Sequence, residues 1–273
     1  MSGETPLQIV RTVAEVREAL QPSRERGERI GLVPTMGAFH EGHLALMRAA
    51  RLSCDVVVVS LFVNPAQFGP AEDLDRYPRD EAGDALAAAG AGADLLFAPA
   101  VEEMYPPGFD TWVDPGAVAT VLEGAVRPEH FRGVATVCTR LFGIVGPSAV
   151  FFGRKDAQQV AVIGQLVRDL ALPISVEARP TVRDADGLAL SSRNRFLSTA
   201  ERQQALALPR ALEVGRAAHR SGGDPVAAAR EALEGAPGIS VDYVARADLG
   251  GDTLAAAVRV GSTRLIDNVL LGA

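Results

Sequence analysis

The sequence has little cysteine and no apolar run of membrane-spanning length. Its 273 residues include only two cysteines, Cys54 and Cys138, which cannot form a disulfide framework, so we expect a reducing cytoplasm. The longest strongly apolar run, 56–63, is far shorter than the ~20 residues of a transmembrane helix, so we expect no membrane partner. The first twenty residues carry charges and no apolar stretch, so we expect no signal peptide.

Basic residues are also few. The chain has 27 lysines and arginines against 34 aspartates and glutamates, which gives a formal net charge of −7. Proteins that bind nucleic acid usually carry a basic patch, so we expect no nucleic-acid partner. Hydrophobic residues make up 48% of the chain and charged residues 22%, which is typical of a globular protein and excludes general disorder.

Short β-rich runs alternate with helical stretches in the N-terminal part. Thr12 and Glu15 form a capping box that predicts a first helix, and the β-branched run 56–63 predicts a strand buried on both faces. The pattern predicts further strands at 30–33, 95–97 and 149–152, and helices at 44–52, 79–89, 134–145 and 160–170. This alternation indicates an α/β fold with a Rossmann-like, doubly wound parallel sheet.

The pattern changes after Leu172-Pro173. A strand at 174–179 precedes a polar loop, and a second capping box, Ser198 with Glu201, predicts one helix to about His219. Another helix follows, and the last part of the chain predicts three short strands at 241–245, 256–260 and 264–269. We therefore predict two domains, residues 1–172 and a smaller α+β domain of residues 173–273.

Two of the four histidines stand within one short segment, His40-Glu41-Gly42-His43. The segment follows a predicted strand and precedes a predicted helix, the position where open α/β sheets bind ligands and where a helix N-terminus favours an anion. These residues are therefore candidate phosphate contacts. In the simplest structural alternative, one histidine caps the helix and the other faces solvent. A zinc site is the other alternative, although the spacing is not that of zincins and no third ligand stands nearby.

Three other polar segments are candidates for binding. Gly153-Arg154-Lys155-Asp156 also joins a strand to a helix, where Lys155 can contact phosphate and Asp156 a ribose, unless Asp156 merely caps the helix. The segment 190–195 combines two hydroxyls with two guanidiniums, which is an anion-binding set or a solvated loop. Asn64-Pro65-x-Gln67-Phe68 follows the strongest strand, so its amides either fix a small polar substrate or form a turn.

Taken in order, these segments resemble the pantoate-β-alanine ligase (pantothenate synthetase) family. The His-x-Gly-His signature alone marks only the wider nucleotidylyltransferase superfamily, whereas the whole set is specific to this one enzyme. The resemblance extends over about residues 7–270, and the matching segments are Pro34-Thr35-Met36-Gly37, His40-x-Gly42-His43, Phe62-Val63-Asn64-Pro65-x-Gln67-Phe68, Tyr77-Pro78-Arg79, Arg127-Pro128-x-His130-Phe131, Phe152-Gly153-x-Lys155-Asp156, Arg183-x-x-Asp186-Gly187-Leu188-Ala189 and Ser191-Ser192-Arg193-Asn194.

The resemblance implies an enzyme that condenses pantoate with β-alanine, using ATP and Mg²⁺, through a pantoyl-adenylate. It also implies a cytoplasmic homodimer whose C-terminal domain is a lid over the nucleotide. The implied ATP contacts are Met36, Gly37, Ala38, Phe39, His40, Glu41, Gly42, His43, Gly153, Arg154, Lys155, Asp156, Val182, Leu190, Ser191, Ser192 and Arg193. The implied catalytic residues are His40, His43 (the proton donor), Lys155 and Arg193. Gln67 and Gln159 are the implied pantoate contacts, with Asn64 near the β-alanine region.

Three other functions share parts of this pattern. A nucleotidyltransferase that adenylates a phosphate-bearing substrate has the same histidine turn but no amine step. An aminoacyl-tRNA synthetase fragment also binds ATP through such a turn, but the acidic balance of this chain disfavours a tRNA partner. A non-catalytic nucleotide-binding module would not need both histidines together with Lys155 and Arg193.

Overall fold

The computed structural model describes residues 6–69, 74 and 77–272. Contacts divide the chain into two units. Unit 1 is Met1–Phe152 with Val162–Arg179, and unit 2 is Gly153–Ala161 with Pro180–Ala273. Unit 2 contains 153–161 and unit 1 contains 173–179, whereas the predicted boundary at 172/173 places each of these segments in the other domain. The two predicted domains therefore remain a proposal. The ends of those domains, residues 1–5 and 273, lie outside the described residues.

Unit 1 is built on a six-stranded sheet in the order β1-β4-β3-β2-β5-β6. The pairs β1/β4, β4/β3, β3/β2 and β2/β5 are parallel, as the alternating pattern predicts. The strands are β1 Gln8–Val10, β2 Ile30–Thr35, β3 Val56–Leu61, β4 Leu95–Phe97, β5 Ala149–Gly153 and β6 Ser175–Arg179. The short strand β1 has no counterpart in the sequence prediction.

Helices connect these strands along the chain, and the start of the last one, 157–161, belongs to unit 2. They are α1 Val13–Glu25, α2 Glu41–Arg51, α3 Glu81–Gly90, α4 Val101–Met104, α5 Glu123–Val126, α6 His130–Val145 and α7 Ala157–Asp169. The Thr12–Glu15 capping box is present at the start of α1. Helix α6 begins four residues before the predicted start at Val134, directly after Glu129 in a left-handed conformation (φ 68°).

The core of unit 1 is packed against both faces of β3. Val57, Val58 and Val59 are completely buried, as expected for a parallel strand covered on both sides. Met47 of α2 and Ala88 of α3 pack in the same apolar cluster. Burial of each valine stabilises the fold by about 1.5 kcal/mol or more. The strand therefore holds its own carboxyl end, and the residues after it, in a fixed place.

Unit 2 contains a three-stranded antiparallel sheet, β7-β8-β9. Its elements are α8 Thr199–Ala205, α9 Ala207–Arg220, α10 Pro225–Glu234, β7 Ile239–Asp248, β8 Asp252–Val260 and β9 Thr263–Leu270. The prediction of one helix from Ser198 to His219 is wrong, because the chain forms two helices that meet at Leu206. Pro209 lies in the first turn of the second helix, where its missing N–H costs no hydrogen bond.

Candidate active site

The two histidines lie where β2 ends and α2 begins. His40 is the N-cap residue of α2, and its Nδ1 accepts a hydrogen bond from the Gly42 amide at 3.2 Å. His43 Nδ1 accepts one from the His40 amide at 3.4 Å. Because a backbone amide only donates, these bonds make both Nδ1 atoms acceptors, so Nε2 is the ring nitrogen that can carry a hydrogen for a ligand. His40 therefore does cap the helix, and Nε2 is the ring atom that can donate to a phosphate oxygen.

Asp84 of α3 fixes the turn that precedes the histidines. Gly37 and Ala38 both have left-handed backbone conformations, with φ of 88° and 53°. The carboxylate of Asp84 is buried and accepts hydrogen bonds from the amides of Ala38 (2.9 Å) and Phe39 (2.7 Å). A left-handed alanine is strained by about 1 to 2 kcal/mol, which these two bonds offset. The amides of Ala38 and Phe39 are thus engaged with Asp84, and any contact of these residues with ATP uses other atoms.

The remaining predicted residues of this segment surround the start of α2. Glu41 is exposed and forms an ion pair with Arg48, two turns further along the helix. Met36 and Gly42 are partly exposed. Apart from the buried Gly37, the segment 36–43 is at least partly exposed, and it lies between a strand end and a helix N-terminus, which is the geometry that binds phosphates.

Gln67 lies in a short 3-10 turn, Pro65–Gln67, just beyond β3. Its carbonyl oxygen accepts a hydrogen bond from His130 Nδ1 at 2.9 Å and lies 3.5 Å from Arg127 Nη2. Helix α6 passes very close to the turn at Gly133, where a Cβ would stand 2.2 Å from the Ala66 oxygen. Only glycine permits that approach, so α6 fixes the backbone of Gln67 while its side chain stays partly exposed.

Unit 2 holds a second group of predicted residues, around Lys155. The segment Arg154–Asp156 is a 3-10 turn after β5, and Lys155 is the only lysine of the chain. Its ammonium lies 3.5 Å from Asp156 Oδ1. The buried Asn268 of β9 donates hydrogen bonds from Nδ2 to the carbonyl oxygens of Arg154 (2.8 Å) and Lys155 (2.9 Å). Asn268 therefore anchors the turn that presents Lys155.

The loop 182–197 of unit 2 is held by its own hydrogen bonds. The Leu190 amide bonds Val182 O at 3.0 Å, and Ser191 Oγ accepts a bond from the Arg193 amide at 3.2 Å. Arg183 at the start of the loop forms a two-bond ion pair with the fully buried carboxylate of Asp267, at 2.6 and 3.0 Å. The guanidinium of Arg193 is exposed. The loop is thus anchored at Arg183, and the positive charge of Arg193 is exposed.

The structure divides the predicted residues between its two units. Unit 1 holds 36–43, Asn64 and Gln67, and unit 2 holds 153–156, Gln159, Val182 and 190–193. Sequence reasoning missed the residues that support these groups, which are Asp84, Tyr105, His130 and Asn268. His130 stands within a matching segment, but its bond to Gln67 spans 63 residues and no local pattern reveals it.

The described part of the chain contains neither a cluster of metal ligands nor a membrane-spanning helix. Within 6–69, 74 and 77–272, no three His, Cys, Asp or Glu side chains come together as a metal site, so the zinc alternative finds no support there. No helix among those same residues is both long and apolar enough to cross a membrane.

Comparison with known proteins gives the family. A sequence profile described as "Pantoate-beta-alanine ligase" matches residues 8–270. The chain belongs to the pantoate-beta-alanine ligase family. Pantothenate synthetase of Moorella thermoacetica is 52% identical over 279 residues, which cover 97% of this chain and 99% of the relative. The resemblance inferred from the motifs is therefore confirmed.

Solved structures of family members have the same fold. The crystal structure of pantothenate synthetase from Thermus thermophilus matches with a TM-score of 0.90 and 47% identity, covering 97% of this chain and 99% of that one. The ligase from Francisella tularensis, complexed with beta-gamma ATP and beta-alanine, matches with a TM-score of 0.84 and 32% identity over 98% of each chain. The Rossmann-like fold class with a smaller α+β part is confirmed.

Proposed function

We propose that this chain condenses pantoate with β-alanine to form pantothenate, using ATP and releasing AMP and pyrophosphate. The family match over 8–270 is the observation on which this conclusion rests. A carboxylate does not react with an amine directly, because oxide is a poor leaving group. The pantoate carboxylate therefore attacks the α-phosphorus of ATP, pyrophosphate leaves, and the amine of β-alanine then displaces AMP from the pantoyl-adenylate.

We propose the segment 36–43 and the residues around Lys155 as the ATP contacts of unit 1 and unit 2. Charge spreads over the phosphoryl oxygens in the first transition state, so fixed donors are the chief requirement of catalysis. His40 and His43 meet it because their Nδ1 atoms accept backbone hydrogen bonds, which makes Nε2 the donor of each ring. Lys155 and Arg193 add positive charge, and the hydroxyls of Ser191 and Ser192 add donors. No protein nucleophile is needed, in keeping with the buried position of both cysteines.

The remaining ATP contacts are proposed for backbone and side-chain atoms that border these groups. They are Met36, Gly37, Ala38, Phe39, Glu41, Gly42, Gly153, Arg154, Asp156, Val182 and Leu190. Gln67 and Gln159, both partly exposed, are proposed to bind pantoate. Asn64 is 1% exposed and its amide is engaged inside the protein, so a direct contact with β-alanine would have to break one of those bonds.

Mg²⁺ is proposed to enter with the nucleotide. Among the described residues no three-ligand cluster is present, and Mg²⁺ is commonly bound by substrate phosphates with only one or two carboxylates. The donors among the described residues fit MgATP as the substrate, with the phosphates as the main ligands of the ion. A cytoplasmic homodimer and a C-terminal lid complete the proposal, on the basis of the family resemblance.

Pantoate-dependent exchange of pyrophosphate into ATP tests the first step, and β-alanine-dependent release of AMP tests the second. We expect both in the purified chain with MgATP. Exchange without amine-dependent AMP release would instead favour a nucleotidyltransferase. The absence of exchange with pantoate would overturn the proposed function.

A further inference from the structure

The side-chain amide of Asn64 has one permitted orientation. Its Oδ1 accepts hydrogen bonds from the Ala66 amide (3.3 Å) and the Tyr105 hydroxyl (2.7 Å), and its Nδ2 donates to Gly133 O (3.2 Å) and Gln67 Oε1 (3.0 Å). A backbone N–H only donates and a carbonyl oxygen only accepts. Rotating the amide by 180° would therefore oppose like groups at both Ala66 and Gly133, which a buried side chain cannot tolerate.

This fixed amide determines the hydrogen-bond roles of its two neighbours. Tyr105 faces an acceptor and must donate. Gln67 faces a donor and must offer its Oε1. The Nε2 of Gln67, with both its hydrogens, is then the end of the amide without a hydrogen-bond partner among the described residues. A glutamine without this support presents either its oxygen or its nitrogen to a ligand.

We propose that Asn64, supported by the hydroxyl of Tyr105, holds Gln67 as a hydrogen-bond donor toward pantoate, so that Asn64 and Tyr105 are positioning residues for substrate recognition. The inference rests on the proposed function, in which Gln67 contacts pantoate. The pantoate carboxylate only accepts hydrogen bonds, and the oxygens of its two hydroxyls also accept. A reversed Gln67 would place its own oxygen against the carboxylate, so orientation determines whether the contact attracts or repels.

The surroundings of Tyr105 suit this role. Burial raises the pKa of Tyr105 to about 12, so the hydroxyl keeps its hydrogen throughout the range in which the enzyme would be assayed. The ring packs against Phe109 and Phe62, with centroid distances of 5.1 and 6.2 Å, and lies parallel to Trp112. Replacing Tyr105 by phenylalanine therefore keeps the ring in place and removes only the hydroxyl.

The test compares Tyr105→Phe with the wild-type enzyme. We expect the KM for pantoate to rise about 3- to 10-fold, the effect of losing one hydrogen bond, with the KM for ATP within about twofold of wild type. Tyr243→Phe in unit 2 is the matched control, and we expect no change in either constant. In the Gln67→Ala background, Tyr105→Phe should add nothing further to the pantoate KM, because its effect passes through Gln67.

Asn64→Asp is a second variant, in which a carboxylate oxygen that only accepts replaces the donating NH₂ group of Asn64. It removes the donor to Gln67, so Gln67 turns its own donor inward, and we expect pantoate affinity by calorimetry to fall more than about tenfold with ATP affinity retained. An unchanged pantoate affinity in folded Tyr105→Phe or Asn64→Asp would overturn the inference. So would an effect of Tyr105→Phe that persists without Gln67. A wild-type chain without pantoate-dependent exchange would instead disprove the proposed function.

Discussion

Asp84 Oδ2 accepts a hydrogen bond from the amide of Ala38 at 2.9 Å and so stabilises a residue whose φ of 53° is unusual for alanine. The two residues are 46 positions apart in the chain, and Asp84 lies on α3 while Ala38 precedes α2. The direction in which α2 begins, and with it the positions of His40 and His43, therefore depends on a side chain outside the histidine segment.

We expect Asp84→Asn to slow adenylate formation about tenfold or more. The substitution places an amide NH₂ against one of two backbone N–H groups, which leaves a buried donor unpaired at a cost of about 1 to 3 kcal/mol. The turn then relaxes, and the donors after it lose their alignment. Single-turnover formation of the adenylate from pantoate and MgATP measures the effect.

Asp80→Ala is the matched control. Asp80 is the N-cap residue of the same helix, bonded to the Gly83 amide at 3.0 Å, and loss of such a cap costs about 1 kcal/mol of stability. The control should lower the thermal midpoint without slowing the adenylation. If it slows the reaction as much as Asp84→Asn does, Asp84 serves only the stability of α3.

Lys155→Ala should slow adenylate formation about 10²- to 10³-fold, as the loss of one preorganised donor does in comparable sites. We expect Lys155→Arg to recover only part of the rate, because a planar guanidinium does not replace a compact ammonium group. The chain uses arginine at every other basic position, so no other lysine can substitute. Arg168→Ala removes a charge near the end of α7 and should leave the rate within about twofold of wild type.

The single lysine also permits a direct test of its place in the site. An amine-selective acetylating reagent can modify only the chain's N-terminus and Lys155, so peptide masses give the extent of reaction at each. We expect MgATP to protect Lys155 and not the N-terminus. Equal labelling of Lys155 with and without MgATP would contradict its assignment as an ATP contact.

His43→Gln should retain more activity than His43→Ala. The Nδ1 of His43 accepts from the His40 amide, so the useful hydrogen is on Nε2, and a glutamine amide can place a donor near that position. We expect the alanine variant to lose about 10²-fold or more in adenylation rate and the glutamine variant to lie between it and wild type. His219→Ala in α9 serves as the control. An alanine variant within a few-fold of wild type would disprove the role of His43.

Local signals in the sequence predicted most elements of the fold. Both capping boxes are observed, and β3 was evident because four consecutive valines favour a strand that is buried between two helical layers. The break at Leu206 was missed because α8 and α9 each continue a helical pattern, although Pro209 is a local signal for it, since proline is tolerated in the first turn of a helix and not in the interior. Strand β1 was missed because it is three residues long and mostly exposed, so no periodicity marks it.

The candidate site was predictable where function depends on contiguous residues and not where it depends on distant support. The histidine turn and the Lys155 turn each follow a strand and precede a helix, so their placement can be inferred from the local pattern. The bond from Asn268 to the Lys155 carbonyl spans 113 residues. Such bonds depend on which elements pack together, and composition and periodicity do not contain that information.

Gln67→Ala and Gln159→Ala should weaken pantoate binding more than ATP binding. Pantoate is small, so each amide is a large share of its polar recognition, and leaving a buried polar group without its hydrogen bond costs about 1 to 3 kcal/mol. Calorimetry with each ligand separates the two effects. Gln165→Ala, in the second half of α7, is the control, since its amide bonds Asp169 and Arg168 of the same helix. Equal losses of both affinities would mean that the two glutamines only support the fold.

MgATP should slow hydrogen exchange in residues 183–196. If the C-terminal domain is a lid, Ser191, Ser192 and Arg193 meet the phosphates only in the ATP-bound state, and ATP then favours the state in which this loop is ordered. Each hydroxyl or guanidinium can add a charge-assisted hydrogen bond to a phosphate oxygen.

The strand 56–61 is buried already and should change little, which provides an internal reference. Arg193→Ala should remove most of the protection and lower the adenylation rate, whereas Arg195→Ala, two residues along and also exposed, should do neither. Exchange that is unaffected by MgATP would mean that the loop is no lid element and that its charges are simply solvated.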